Sequence, residues 1–478
     1  MIFEIPYSVP AGAETLTGYL DLVGKSGKND IGHRKDFTLP LGETSGESLR
    51  YSTYGTDSPG QFVYDPETGT VKNDNFFGRS VETAQMRELV AGDSFADFHS
   101  AVVYGVRRTG KTSLLKYFRT YVRGSHPDCL CIRVDVQNTD ETVPIQSVFV
   151  DSVLQEETVQ AALEQSGDRD AFTAAWSRSS LNQEDLNPLM LQSFYKELKQ
   201  VTGKGLILII DEIDRLFKRL LDEHKQPLLN SLLKSISGIL DDGDSREYLH
   251  IVMCGSNWLM YYASLGKDMH EMQQVFHRLG DYRIPVGRLP KEDVMDLLLS
   301  ADVNYTEEAL EMIWEYTGGH VWFVKLFGNA AIRRAKANNR SWIYPADVFY
   351  SLYDVLCEQN CEQFYEGCTP TGLERPIIDI MQAMACRKDM FLSMDSICQR
   401  LNRDPDDVEQ ALKNLLQFEI VKRNRVNPDM VRFSLDIYRR YFRTVNSSQS
   451  RVPEEPAVFE RKIQSSGSQT SYNDDELI

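Results

Sequence analysis

The sequence predicts an α/β P-loop core built on a parallel sheet, followed by a helical lid domain and a winged-helix domain and preceded by a small β-rich region. Three observations predict it. Short apolar runs alternate with amphipathic helical patterns from about residue 75 to 288, the rhythm of parallel strands covered on both faces by helices. The first run opens into YGVRRTGKTSLL, two glycines and a lysine ahead of a helical pattern. Another run, LILIIDEID, ends in an acidic pair.

The elements follow in chain order. Residues 1–74 are rich in Gly, Ser, Thr and Tyr, and FTLPL, LRYSTYG and QFVYDPETGTV alternate as strands and turns do. Within 75–288 the candidate strands are AVVYG (101–105), CLCIRVDV (129–136), GLILIID (205–211), LHIVMCG (249–255) and YRIPV (282–286). The stretch 141–200 reads as a helical insertion between the second and third strands. Residues 289–368 form the lid domain, helical throughout 290–355. Residues 369–445 give three helical patterns and then EIVKRNRVNPDMVRFSL, a hairpin turning at NPD. Helix, helix, helix and hairpin outline a winged helix. Residues 446–478 have the composition of a disordered tail.

A chain of 478 residues is too long for one core, and about two to four domains are expected. No apolar run approaches the roughly 20 residues that span a bilayer, and MIFEIPYSVP lacks the basic start of a secretory signal. Eight scattered cysteines suit a reducing compartment, so the protein is expected in the cytoplasm, without membrane attachment. Cys357, Cys361, Cys368 and Cys386 lack a C-x-x-C pair and read as ordinary thiols rather than a zinc set. A net charge of −18 disfavours a general hold on nucleic acid.

Gly105, Gly110, Lys111 and Thr112 match G-x-x-x-x-G-K-[ST]. The glycines let the backbone bend around an anion, and amides from Gly105, Val106, Arg107, Arg108, Thr109, Gly110, Lys111, Thr112 and Ser113 converge where a helix begins. Lys111 is expected on the β- and γ-phosphates and Thr112 on Mg²⁺, which makes ATP with Mg²⁺ the expected cofactor. Arg107 and Arg108 occupy variable positions and either touch phosphate or a neighbouring domain, or face solvent. Asp211 ends its strand where an acid can hold Mg²⁺, and Glu212 can orient the attacking water. Asp214 reads as an N-cap in preference to a catalytic acid. Ser256 and Asn257, in CGSN, close another strand; an amide there can hold the γ-phosphate, or the pair is simply a turn. Arg278 can stabilise phosphate charge in its own or an adjacent subunit, or it forms a surface salt bridge.

YGVRRTGKTSLL, LIIDEID, the CGSN strand end and TGGHVWFVKLFG resemble the AAA+/STAND-type P-loop ATPases. The nearest likeness is to the prokaryotic archaeal-ATPase-like branch with a C-terminal winged helix, related in plan to origin-recognition-type initiators. NDNFFGRSVE, 73–82, resembles the segment that leads into that branch's first helix. The likeness spans roughly 75–445. It implies Lys111 and Thr112 as phosphate and Mg²⁺ contacts, Asp211 behind the Mg²⁺, Glu212 as general base, Asn257 as first sensor and Arg278 as finger or γ-phosphate sensor. It places Gly78 and Arg79 near the adenine and His320 where the lid faces the nucleotide. One departure stands in the lid, where Gly318-Gly319-His320-Val321 replaces the usual Gly-Gly-His/Gln-Pro.

The resemblance implies a switch in which ATP or ADP fixes how core, lid and winged helix sit together. The recognition helix, 404–419, carries Asp404, Asp406, Asp407, Glu409 and Glu419 against one Lys413, a poor surface for phosphate. Lys422, Arg423, Arg425, Arg432, Arg439, Arg440 and Arg443 form a basic group that docks an acidic partner or the core, or alternatively contacts DNA. Three functions compete. The first is a STAND-type assembly ATPase that senses a partner protein or effector and forms a homo-oligomer, in a bacterial antiphage defence system. The second is a DNA-handling loader, initiator or transposition helper. The third is a nucleotide-stabilised scaffold with little turnover.

Overall fold

A computed structural model describes residues 15–26, 29–40, 78–136, 145–177, 188–264, 270–279, 282–300, 303–338, 340–358, 374–385 and 391–447. The cysteines 361, 368 and 386, the segments LRYSTYG and QFVYDPETGTV and the tail beyond residue 447 lie outside them. Among the described residues no helix is long and apolar enough to cross a membrane.

At the N-terminus β1 (Thr15–Ser26) and β2 (Asn29–Pro40) pair antiparallel, Thr15 opposite Pro40. The core then runs α1 (Ser80–Glu88), β3 (Ala101–Tyr104), α2 (Lys111–Ser125), β4 (Cys129–Asp135), α3 (Ile145–Leu154), α4 (Glu157–Ser166), α5 (Arg169–Trp176) and α6 (Pro188–Thr202). It continues with β5 (Gly205–Asp211), α7 (Ile213–Asp222), α8 (Gln226–Asp241), β6 (Leu249–Gly255), α9 (Trp258–Ser264), α10 (His270–Arg278) and β7 (Arg283–Pro285). The five expected strands form one sheet in the order β4-β5-β6-β3-β7, every pair parallel. The helical insertion is α3 to α6.

All seven residues of β5 and of β6 are buried, as two-sided covering demands. Alternate side chains enter opposite layers. Leu206, Leu208 and Ile210 join the helices that follow β4, β5 and β6, whereas Ile207 and Ile209 meet Met86 and Leu89 of α1 and Leu114, Leu115 and Phe118 of α2. At about 25 cal/mol per Å² of apolar surface removed from water, these layers dominate the stability of the core.

Beyond the core lie α11 (Lys291–Leu299), β8 (Asn304–Tyr305), α12 (Glu307–Thr317), α13 (Val321–Ala337), β9 (Trp342–Ile343) and α14 (Pro345–Glu358). The region is not helical throughout as expected: β8 and β9 pair in parallel, and Thr306 then caps α12 by accepting from the Ala309 amide. The C-terminal module has α15 (Glu374–Ala385), β10 (Leu392–Ser393), α16 (Met394–Leu401), α17 (Pro405–Gln417), β11 (Val421–Arg423), β12 (Met430–Phe433) and α18 (Asp436–Ser447). Its sheet order is β10-β12-β11. The hairpin turns through Asn427–Asp429, where the Asn427 side chain accepts from the Asp429 amide at 3.2 Å. The closing helix α18 was not anticipated. It buries Ile437, Tyr438, Tyr441 and Phe442, one helical face.

The module seats against both preceding parts. Phe418 packs on Trp258 with ring centres 5.0 Å apart. Tyr438 meets Phe323 of α13 at 5.9 Å, and the Arg440 guanidinium lies 4.9 Å above the Tyr316 ring. Arg288, in the link from core to α11, donates to the carbonyls of Ser434 at 3.2 Å and Glu419 at 3.3 Å.

Candidate nucleotide-binding site

The site lies at the carboxyl ends of the strands, where β3 gives way to a loop and α2 begins. A Cβ on Gly105 would stand 2.2 Å from the Val286 carbonyl oxygen, so only glycine lets the loop leave the sheet beside β7. Gly110 has φ 97°, and a Cβ there would meet nothing within 4 Å. Its glycine therefore serves backbone shape and leaves open space in front of α2. No side chain caps α2, so the amides of its first turn remain available to an anion. Lys111 is buried, and its Nζ bends back onto the carbonyls of Gly105 at 3.0 Å and Val106 at 2.9 Å. An ammonium inside a ring of backbone, with uncapped amides beside it, is an arrangement that can receive an anion. The Nε of Arg107, within the same loop, is buried with no hydrogen-bond partner among the described residues.

β5 delivers the acids. Thr112 Oγ1 donates to Asp211 Oδ2 at 3.2 Å, bringing together the hydroxyl and the carboxylate expected at Mg²⁺. Both are hard oxygen donors, which fits that metal. Glu212 starts α7 with φ 57°, a left-handed geometry that costs a non-glycine residue about 1 kcal/mol. Its carboxylate pairs with Arg215 at 2.7 Å. Burial first, then the charge of Asp214, pushes the Glu212 carboxyl above its ordinary value, against the pull of Lys111 and Arg215. A carboxylate of raised basicity at a strand tip can take a proton from water.

Asp214 is not the cap of α7; Glu212 occupies that position. Asp214 lies inside the first turn, fully buried, and accepts a hydrogen bond from the Ser256 hydroxyl. Asn257, buried at the end of β6, donates its side-chain amide to the Gln417 carbonyl at 2.9 Å. The strand-end amide thus reaches the last turn of α17.

Arg79 is buried and stitches three parts together. Its Nη2 donates to the Thr109 carbonyl at 2.6 Å and the Gly287 carbonyl at 2.7 Å, and its Nη1 to Glu82 at 2.8 Å. Its own amide donates to Asp293 Oδ2 at 3.2 Å. A Cβ on Gly78 would collide with the same Asp293 side chain at 1.9 Å. These two residues therefore tie the loop to the link at Gly287 and to the first turn of α11 at Asp293.

The start of α13 reaches the loop as well. Arg108 lies 4.5 Å above the Trp322 ring while remaining exposed, so it touches the neighbouring part of the chain and also faces solvent. His320 is buried beside the Arg107 backbone; burial first, then Arg288 and Lys111, pushes its pKa down to about 3, which keeps the imidazole neutral.

Arg278 is the exception. It ends α10, pairs with Asp241 at the end of α8 and donates to Ser237 at 2.5 Å. Both helices lead into the starts of strands, so this pair lies at the amino edge of the sheet, opposite the loop. Arg278 does not join its own chain's site. Two site residues escaped the sequence reading, Arg133 and Gln417. Arg133 donates Nε to Asp211 Oδ2 at 2.8 Å; an arginine amid the apolar CLCIRVDV is the signal that could have found it.

Strand order, loop and acid pair define an α/β P-loop fold with one strand between the loop strand and the acidic strand. A model of the AAA ATPase domain family matches residues 75–240. No curated protein matches the sequence. Among solved structures, the Aeropyrum pernix ORC2 protein is 11% identical, with a TM-score of 0.44 over 78% of this chain and 98% of that one. The Thermotoga maritima RuvB Holliday junction branch migration motor is 13% identical, with a TM-score of 0.37 over 80% and 98%. Domain III of the Thermotoga maritima replication initiation protein DnaA is 14% identical, with a TM-score of 0.34 over 58% and 92%.

Proposed function

We propose that this chain is an ATP-binding and ATP-hydrolysing switch of AAA+/STAND type, whose nucleotide state governs how core, lid and a C-terminal winged helix sit together and thereby its assembly with partner proteins. The supporting observation is the bond from Asn257 to Gln417. A phosphate at the tip of β6 and the carbonyl of α17 compete for one amide, and that competition gives a ligand the differential contact a switch requires.

The residues divide the chemistry. Loop amides and Lys111 neutralise the phosphate tail. Thr112, with Asp211 behind it, would hold Mg²⁺, which would supply charge compensation on the phosphates. Glu212 accepts a proton as water attacks the terminal phosphorus and the bond to the departing ADP oxygen breaks. Gly78 and Arg79 border the nucleotide through the loop, and His320 presents a neutral wall. Arg278 acts only across a subunit boundary, in a homo-oligomer. An antiphage defence role is the biological setting we favour, because the acidic chain suits protein partners.

The DNA-handling reading retains one supporting feature. Lys422, Arg423 and Arg425 stand exposed on this hairpin, and burial first, then the charges of Arg432, Arg288 and Arg425, lowers the Lys422 pKa. Arg439 and Arg440 do not add to this positive charge, since both pair with Asp436.

Calorimetry with ATP and with ADP in magnesium buffer, beside phosphate release, tests the proposal. Heat with both nucleotides, lost in Lys111→Ala, and turnover lost in Glu212→Gln are expected. Absence of heat with either nucleotide overturns it. Duplex DNA binding with a steep salt dependence would favour the DNA-handling reading.

A further inference from the structure

We infer that Arg133 is a resident counter-cation that closes the Asp211–Thr112 pair to bare divalent metal, so that metal is captured only together with a nucleotide's phosphates. The inference rests on the nucleotide reading above and adds a regulation of that same site.

The geometry centres on one oxygen. Asp211 Oδ2 accepts from Arg133 Nε at 2.8 Å and from Thr112 Oγ1 at 3.2 Å. The second guanidinium nitrogen, Nη2, lies 2.8 Å from the same oxygen. Asp211 Oδ1 is taken by the Glu212 amide at 3.0 Å. Both carboxylate oxygens are thus engaged by donors of the chain itself. Asp211 is 1% exposed, whereas the Arg133 side chain is 23% exposed, so the guanidinium stands between the buried carboxylate and water. It is anchored there, because Nη2 also donates to Asp135 Oδ2 at 3.2 Å. β4 and β5 pair in register with Asp135 opposite Asp211, which aims an arginine two residues earlier along the same face at the acidic tip.

Elsewhere the site offers a bare cation little. Glu212 is paired with Arg215 at 2.7 Å, and Asp214 accepts from Ser256. Lys111 adds another positive charge beside Thr112. Among the described residues no group of three His, Cys, Asp or Glu side chains could hold a metal ion. A divalent cation arriving alone meets a guanidinium already on the one carboxylate it needs. A divalent cation arriving on a triphosphate brings its own anionic oxygens, which offset the repulsion and give Lys111 new partners. Arg133 therefore acts as a positioning residue. It holds the Asp211 carboxylate aligned, and it makes metal binding conditional on nucleotide.

Free Mn²⁺, followed by the paramagnetic resonance of the aqua ion, tests this with the full-length chain free of nucleotide. Wild type and Arg133→Lys, which keeps the charge, are expected to leave Mn²⁺ in solution. Arg133→Gln is expected to bind it at least about ten-fold more tightly, the scale set by removing one close cation from a partly buried site. With ATP added, all three are expected to take up Mn²⁺. Equal Mn²⁺ affinity in wild type and Arg133→Gln, with an unchanged melting temperature, overturns the inference. Should Arg133→Gln fail to fold, wild type decides: tight binding of bare Mn²⁺ overturns the inference, and uptake only after ATP supports it. The nucleotide-free comparison stands apart from calorimetry with ATP, so failure of the switch proposal and failure of this one are distinguishable.

Discussion

The side-chain amide of Asn257 donates to the Gln417 carbonyl across 160 residues of sequence, and the next residue on each side, Trp258 and Phe418, packs ring against tilted ring at 5.0 Å. One hydrogen bond and one aromatic pair thereby tie the tip of β6 to the end of α17. Asn257→Ala is expected to release about 1 kcal/mol of this docking. Hydrogen exchange at the Phe418 amide, which donates to Asn414 at 2.9 Å, would quicken about five-fold, with β4 and β5 unchanged.

Phe418→Ala removes the apolar half of the same contact. The ring is 3% exposed and also lies 6.5 Å from Tyr261. Emptying a buried aromatic site costs about 3–5 kcal/mol. Urea denaturation is expected to show an earlier transition for the C-terminal module, and a loss below about 1 kcal/mol would contradict the packing described.

Arg79 combines a buried guanidinium with a left-handed backbone, φ 61°. Arg79→Ala leaves the Thr109 and Gly287 carbonyls without their donor and keeps the unfavourable φ, for a loss of about 3 kcal/mol. Arg79→Gly loses the same donor but relieves the strain, so it is expected to be the more stable variant by about 1 kcal/mol. Thermal melts of the two compared side by side check that order.

Two histidines set an acid limit. Burial lowers His320 to about 3 and His250 to about 4 from an ordinary value near 6.5. Between those values the unfolded chain binds more protons than the folded one, so their contribution is complete above about pH 6.5 and is lost as pH falls. Each is expected to cost about 1.4 kcal/mol per pH unit in that window. Glu212 has the opposite sign: its carboxyl is raised, so the folded state gives up stability as pH rises past the ordinary carboxylate range. Glu212→Gln is therefore expected to abolish turnover and raise the melting temperature at neutral pH. Melts between pH 5 and 8 read both effects.

Loop, strands and acids were legible because their signals are local. Seven consecutive buried residues in β5 and in β6, and glycines around Lys111, announce themselves in a short window. The partners of Asn257 and Arg79 were not legible, since each lies in a segment far along the chain. Arg278 shows the limit of position along the sequence: its place just ahead of YRIPV is plain, but the edge of the sheet it faces depends on how α8 and α10 pack. Helix α18 was overlooked because its arginines hid the spacing of Ile437, Tyr438, Tyr441 and Phe442, which is plain once they are read as one face.

The sheet order has a consequence for how the molecule is made. Among the described strands β3, which carries the loop, pairs with β6 and β7 alone, and a ribosome synthesises both after β4 and β5. Until Leu249–Gly255 emerges, the nascent chain holds a β4–β5 pair and a lone β3, each with an open edge. A fragment stopping at residue 240 would spell out the loop and both acids yet lack the strand that joins them. The nascent polypeptide thus passes through a long interval in which it can neither grip a phosphate nor hide its strand edges, the interval in which chaperone binding would matter most.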